Sequence, residues 1–159
     1  ALIHYYFRTR EQLMETVLKV AMTKMNERLY MITQSQVAFK EKISNLIHII
    51  VEGMMETPYL ENFVVNEYNR LNLTCAINPH KDLIENCLAA FLNELEEEMQ
   101  KGTIPTMEPL QFVINLVALC AYPISMRPLI QSTFGLQDEY YQQFIQDQKK
   151  NISKIIFRE

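Results

Sequence analysis

Residues Ile3-His4-Tyr5-Tyr6-Phe7-Arg8-Thr9-Arg10 put an imidazole, two phenols and two guanidinium groups into one short segment. Groups of these types suit phosphate oxygens and groove edges, so the chemistry expected here is nucleic-acid recognition rather than bond making. Thr9 reads as a helix N-cap, and Glu11 falls in the first turn, where the positive helix end favours a carboxylate. Leu13, Val17, Val20 and Ala21 then begin an apolar stripe at helical spacing. A short helix is therefore expected to end near Phe7 and a longer one to begin at Arg10. Packing competes with recognition for Tyr6 and Phe7, and Phe7 is assigned to the core.

Bond-making chemistry finds little support elsewhere. His4, His48 and His80 stand alone, without His-Glu-x-x-His spacing and without a Glu three positions ahead, as a di-iron bundle needs. No Gly-x-Ser-x-Gly elbow and no phosphate-cradling glycine loop occurs. Glu94, Glu96, Glu97 and Glu98 resemble a metal cluster, but Glu94 and Glu98 repel at i,i+4. A solvated face with Glu97–Lys101 pairing is the expected reading. Cys75, Cys87 and Cys120 are odd in number, far apart and without a Cys-x-x-Cys pair, which disfavours a disulfide framework or a zinc site. A non-enzymatic protein with no cofactor and no metal is the expectation.

Composition bounds the architecture. In 159 residues, 48% are hydrophobic and 21% charged, an ordinary balance for a globular chain. Only three glycines, and no Asn-Gly or Asp-Gly hairpin signal, argue for an all-α fold. The net charge of −4 is uneven: residues 1–28 carry five basic and three acidic side chains, leaving −6 on the remainder. A basic end on an acidic body fits a DNA-contacting head joined to a non-DNA domain. The longest apolar run, Leu110 to Ile124, is about fifteen residues and falls short of the roughly 20 that span a bilayer, so it reads as a buried helix.

The positioning elements follow from periodicity. Helices are expected from Arg10 to about Thr33, from Ala38 to about Glu56, and from Thr57-Pro58 to about Leu71, with a loop from Asn72 to Pro79. A fourth runs from His80 to about Lys101 and stops at Gly102. Glu108-Pro109 opens the apolar helix, which Pro123 kinks or breaks before Arg127-Pro128 and a short piece ending at Gly135. The last spans Gln137 to about Phe157. The apolar helix is hydrophobic all round, so it must be covered on more than one side. Packing it and the final helix against a symmetry mate meets that need, through an isologous four-helix interface.

At Ile3-His4-Tyr5-Tyr6-Phe7, Arg8-Thr9, Arg10 and Leu13 the chain resembles the TetR family of bacterial transcriptional regulators. That family ends its recognition helix with a Tyr/His/Phe-rich segment, followed by a small polar cap, a basic residue and a Leu-containing helix. The motif covers about a tenth of the chain. Two further helices would precede Ala1, so most of the reading head lies ahead of this sequence in that pattern. The resemblance implies the end of a helix-turn-helix at residues 1–9, a connecting helix at 10–33, and a ligand-binding and dimerisation domain at 34–159. It assigns DNA contact to His4, Tyr5, Tyr6, Arg8, Thr9 and Arg10. It also implies an inducer pocket among the middle helices, whose inward faces would carry Leu46, Ile50, Met54, Phe63, Cys87, Phe91, Phe112, Leu116 and Cys120.

Those faces are apolar, which suggests a small hydrophobic or aromatic ligand, with Arg127 and His80 as the candidate charge anchors. The family dimerises through its last two long helices, which here would place Leu119, Pro123, Tyr141, Phe144, Ile145, Gln148 and Ile152 in the interface. The implied function is a dimeric, ligand-responsive, cytoplasmic repressor acting on double-stranded operator DNA, with no membrane partner. The competing expectation is a helical module that binds a protein partner and never touches DNA.

Overall fold

Thr9 takes an extended backbone (φ −133°, ψ 158°), and its hydroxyl accepts a hydrogen bond from the Gln12 N–H at 3.2 Å. That bond satisfies one of the donors left open at a helix start. The computed structural model describes residues 9–60, 63, 65–66 and 81–158. Among them the regular elements are helical: α1 (Arg10–Thr33), α2 (Phe39–Glu56), α3 (Lys81–Gln100), α4 (Pro109–Ser125), α5 (Arg127–Phe134) and α6 (Asp138–Phe157). The protein is all-α. Leu60, Phe63, Val65 and Asn66 are also helical. The rest of the helix expected up to Leu71, and the loop from Asn72 to Pro79, lie outside the described residues.

Boundaries fall where local chemistry puts them. Glu108 caps α4 by accepting from the Gln111 N–H at 2.6 Å, and Pro109 occupies the first turn, where a missing N–H costs nothing. Gly102 ends α3 in the left-handed region (φ +75°), with Thr103 N–H donating to Glu98 C=O and Gly102 N–H to Met99 C=O, both at 3.0 Å. Gly135 ends α5 in the same way (φ +66°), and Leu136 N–H donates to Gln131 C=O.

The core is one cluster centred on α2, which packs against α1, α4 and α6. Ile43, Leu46, Ile47, Ile50, Val51 and Met54 form its buried stripe. Phe112, Leu116, Cys120 and Ile124 face it from α4, and Tyr141, Ile145, Ile152 and Ile156 from α6. Phe91, Leu95 and Met99 close it from α3. The stripe expected along α1 is only partly buried. Leu29 and Ile32 join the core, while Val17 and Val20 are exposed, so the described side chains seat α1 through its C-terminal end.

That end is held by a buried cation. Lys42 is 5% exposed, and its Nζ donates to Glu94 Oε1 and Oε2 at 2.9 and 2.7 Å and to Thr33 C=O at 3.3 Å. All three ammonium donors are used, and the positive charge sits at the C-terminal end of α1, where the helix dipole favours it. This corrects the expectation that Glu94 belongs to a solvated acidic face. Lys101 pairs with Glu98 at 2.7 Å, not with Glu97 as expected; a hydrogen bond from Lys101, first, holds the Glu98 carboxyl below the usual range.

α4 continues through Pro123 and stops at Ser125; α5 then leaves at an angle of 64°. The break comes two residues past Pro123, where Met126 N–H turns back on the Tyr122 and Ile124 carbonyls. Pro128 has no N–H with which to extend the ladder. The buried Tyr141 hydroxyl donates to Pro123 C=O, bracing the break against α6. Arg127 locks the corner, lying 5.0 Å from the Tyr141 ring and donating to Asp138 Oδ1 at 2.9 Å and Gln131 Oε1 at 3.0 Å. No single helix among the described residues is long and apolar enough to cross a membrane.

Candidate functional site

The expected DNA-binding residues divide at Thr9. His4, Tyr5, Tyr6 and Arg8 lie outside the described residues. Thr9 is the cap of α1 and Arg10 its first residue.

Most of the expected pocket residues converge in the core. Leu46, Ile50, Met54, Phe91, Phe112, Leu116 and Cys120 are buried in the single hydrophobic cluster. Phe63 is half-buried, and the side chain of Cys87 lies outside the description. Burial pushes the Cys120 thiol up to about 12, so it is a protonated packing group at neutral pH.

A concave site lies between α4 and α6. It is a groove of about 580 Å³ whose deeper walls include Phe112, Leu116, Pro123 and Ile156, all buried. Leu119 and Tyr122 from α4 and Gln148 and Ile155 from α6 shape its sides, and Pro105 and Met107 close one end. The volume lies within the roughly 300–1,000 Å³ range of small-molecule sites. No Asp, Glu, Lys, Arg or His lines it; its polar groups are the Tyr122 phenol and the amides of Asn115 and Gln148. Asn115 Oδ1 accepts from Gln111 Nε2 at 3.1 Å, while its Nδ2 meets the Met107 sulfur at 3.8 Å, a weak acceptor.

Further apolar side chains are exposed on both helices. Leu110, Ile114, Val117 and Tyr122 are exposed on α4, with Tyr140, Phe144 and Ile155 on α6. From Pro109 to Ser125, α4 carries no Asp, Glu, Lys or Arg. A water-facing helix side without a charge is unusual, and exposed apolar surface of this kind marks interaction sites.

The interface expectation needs correction at four positions. Tyr141, Ile145 and Ile152 are 0–1% exposed, and Pro123 is buried too. These side chains are covered by their own chain, so a partner cannot be seated on them. Leu119 and Gln148 line the groove, and Phe144 lies at the surface beside it. The expected positions thus fall on the two helices that border the groove, but on the inward stripe of the last one. The residues overlooked, Leu110, Ile114, Val117, Tyr140 and Ile155, carry a signal of their own: they form a second apolar stripe on helices already possessing one. Lys149 of α6 pairs with Glu52 of α2, and the hydrogen bond from Lys149 holds the Glu52 carboxyl below its usual range. Comparison with protein-family models, curated proteins and solved structures finds no match.

Proposed function

We propose that the chain is the body of a TetR-like, ligand-responsive transcriptional regulator, a repressor that acts as a homodimer in the bacterial cytoplasm. The observation that carries the reading is the junction at Thr9. A His-Tyr-Tyr-Phe segment with two arginines leads into a Thr-capped, 24-residue helix, and that helix is tied at its far end to an all-helical body. Such a helix is a lever. It can transmit a change in the body to a DNA-binding head without any further element. The charge-free face of α4 and its neighbours on α6 support self-association across a two-fold axis. A two-fold dimer would present paired recognition helices to successive major grooves, about 34–36 Å apart. A coupling of about 1–3 kcal/mol between body and head would change operator affinity roughly 5- to 150-fold.

The test is salt-dependent binding of the intact protein to fragments of its own genome. Arg10→Ala should weaken binding to all sequences about equally. It should also lower the slope of log affinity against log salt by about 0.9 for each phosphate that the guanidinium neutralises. No DNA binding at low ionic strength would refute the reading. It would favour the second one, a helical protein-interaction module, which the same exposed apolar face on α4 and α6 also supports.

A further inference from the structure

We infer that the buried Lys42–Glu94 pair is a joint that fixes the angle at which α1 leaves the body. What it contributes, beyond stability, is one defined arrangement of α1, α2 and α3. The inference is independent of the DNA-binding and dimer readings.

The place of the cation does not follow from the needs of α2. Lys42 stands near the start of that helix, where the positive end of the dipole disfavours a cation, and a lysine is almost never buried unless it is paired. Its partners explain it. α1 has no basic residue in its last turn. Its final residue, Thr33, turns its own hydroxyl back to the Leu29 and Tyr30 carbonyls and leaves its C=O to the Lys42 ammonium at 3.3 Å. The same ammonium holds both oxygens of Glu94, at 2.9 and 2.7 Å, on α3. One charge on α2 thus ties the end of α1 to a carboxylate of α3.

Direction is what the other contacts at this end lack. Among the described side chains of α1, Leu29 and Ile32 join the core, and burial of apolar area is non-directional, so it holds the helix down without setting its angle. Arg28–Glu56, at 3.8 Å with both side chains in contact with water, contributes little. In the connection, the Ser35 hydroxyl bonds back to Ile32 C=O at 2.6 Å, within α1, and α2 starts at Ala38 without a side-chain cap. Three N–H directions met by acceptors on two other helices do set an angle. Apolar replacement of a buried ion pair often leaves stability unchanged or raised, whereas in some folds a buried polar contact selects one register. The two roles are therefore separable. Val20 lies about 20 Å along α1 from Thr33 at roughly 1.5 Å per residue, so a change of about 10° at the joint displaces it by about 3–4 Å.

The experiment is pulsed electron–electron distance measurement on the intact protein. Nitroxides are attached through genetically encoded ketone side chains at Val20 of α1 and Glu96 of α3, both exposed, which leaves the native cysteines in place. Unlabelled protein is added in excess so that only distances within one chain are read. A second pair, at the exposed Ser44 of α2 and Glu139 of α6, reports the body itself. The wild type is expected to give one narrow distance for each pair. The double variant Lys42→Met with Glu94→Leu is expected to keep wild-type helical circular dichroism and the narrow Ser44–Glu139 distance. Its Val20–Glu96 distribution should broaden about twofold or more, or move its centre by about 3 Å or more. Lys42→Met alone, equilibrated at low temperature before freezing, should behave in the same way. A wild-type Val20–Glu96 distribution in either folded variant shows that apolar packing sets the angle, and overturns the inference. A wild type whose Val20–Glu96 distribution is already broad does so too. Equal broadening of the Ser44–Glu139 distance in the variants makes the pair a general support of the fold, which also overturns it.

Discussion

Replacing Lys42 by methionine should cost about 3 kcal/mol of folding stability. Methionine keeps the unbranched stem and its packing, so the loss is electrostatic. The Lys42 ammonium holds both oxygens of Glu94 and the last carbonyl of α1, and its side chain is 6% exposed against 30% for Glu94. Removing one member of a buried pair costs about 3–5 kcal/mol, because the survivor is left without compensation. Glu94 keeps partial access to water, which places the effect near the lower bound. For a chain of this size each kcal/mol moves the melting temperature by about 2–4 °C, so a fall of roughly 6–12 °C is expected.

The assay is urea unfolding followed by circular dichroism at fixed protein concentration, since self-association contributes to apparent stability. Glu94→Leu should be destabilising too, and the double variant should lose less than the two single losses combined, with a coupling of about 2 kcal/mol. A cost below about 0.5 kcal/mol for Lys42→Met, or strictly additive single effects, would refute the argument that this pair pins α1 to the body.

Ile145→Glu and Ile152→Glu should unfold the chain rather than separate dimers, because each would bury an unpaired carboxylate in the core of a single chain; loss of the helical signal at low temperature checks this. Ile114→Glu, at the surface of α4, should keep that signal and yield monomers by light scattering. Gly135→Ala should lose about 1–2 kcal/mol in chemical denaturation, since the left-handed conformation at φ +66° strains any residue with a Cβ although nothing crowds the position. Cys120 should resist iodoacetamide in the native protein at pH 8, read by peptide mass spectrometry. Its folded value of about 12 exceeds the unfolded one of about 8.5, so the stability it contributes is complete below the unfolded value and is lost as pH rises through that interval. Rapid native alkylation of Cys120 would contradict its burial.

Helix limits are legible in the linear order because the forces that set them are local. Thr9, Glu108-Pro109, Gly102 and Gly135 act within a turn of their own positions, through a side chain that caps, a missing N–H or a tolerated left-handed backbone. The limits read from them agree with the structure to within a residue or two. Apolar periodicity likewise places Ile43, Leu46, Ile50 and Phe112 in the core. Which of two apolar stripes a helix turns inward is settled only by packing in three dimensions. α4 has Phe112, Leu116 and Cys120 on one side and Leu110, Ile114 and Val117 on another, and hydrophobicity ranks them alike. α6 offers Ile145 and Ile152 against Phe144 and Ile155 in the same way. The choice follows from packing against α2, whose stripe must be covered from several sides at once. The Lys42–Glu94 pair joins residues 52 positions apart, and the groove exists only in the space two helices leave between them. Both depend on distances through space, which a linear order of residue types does not contain.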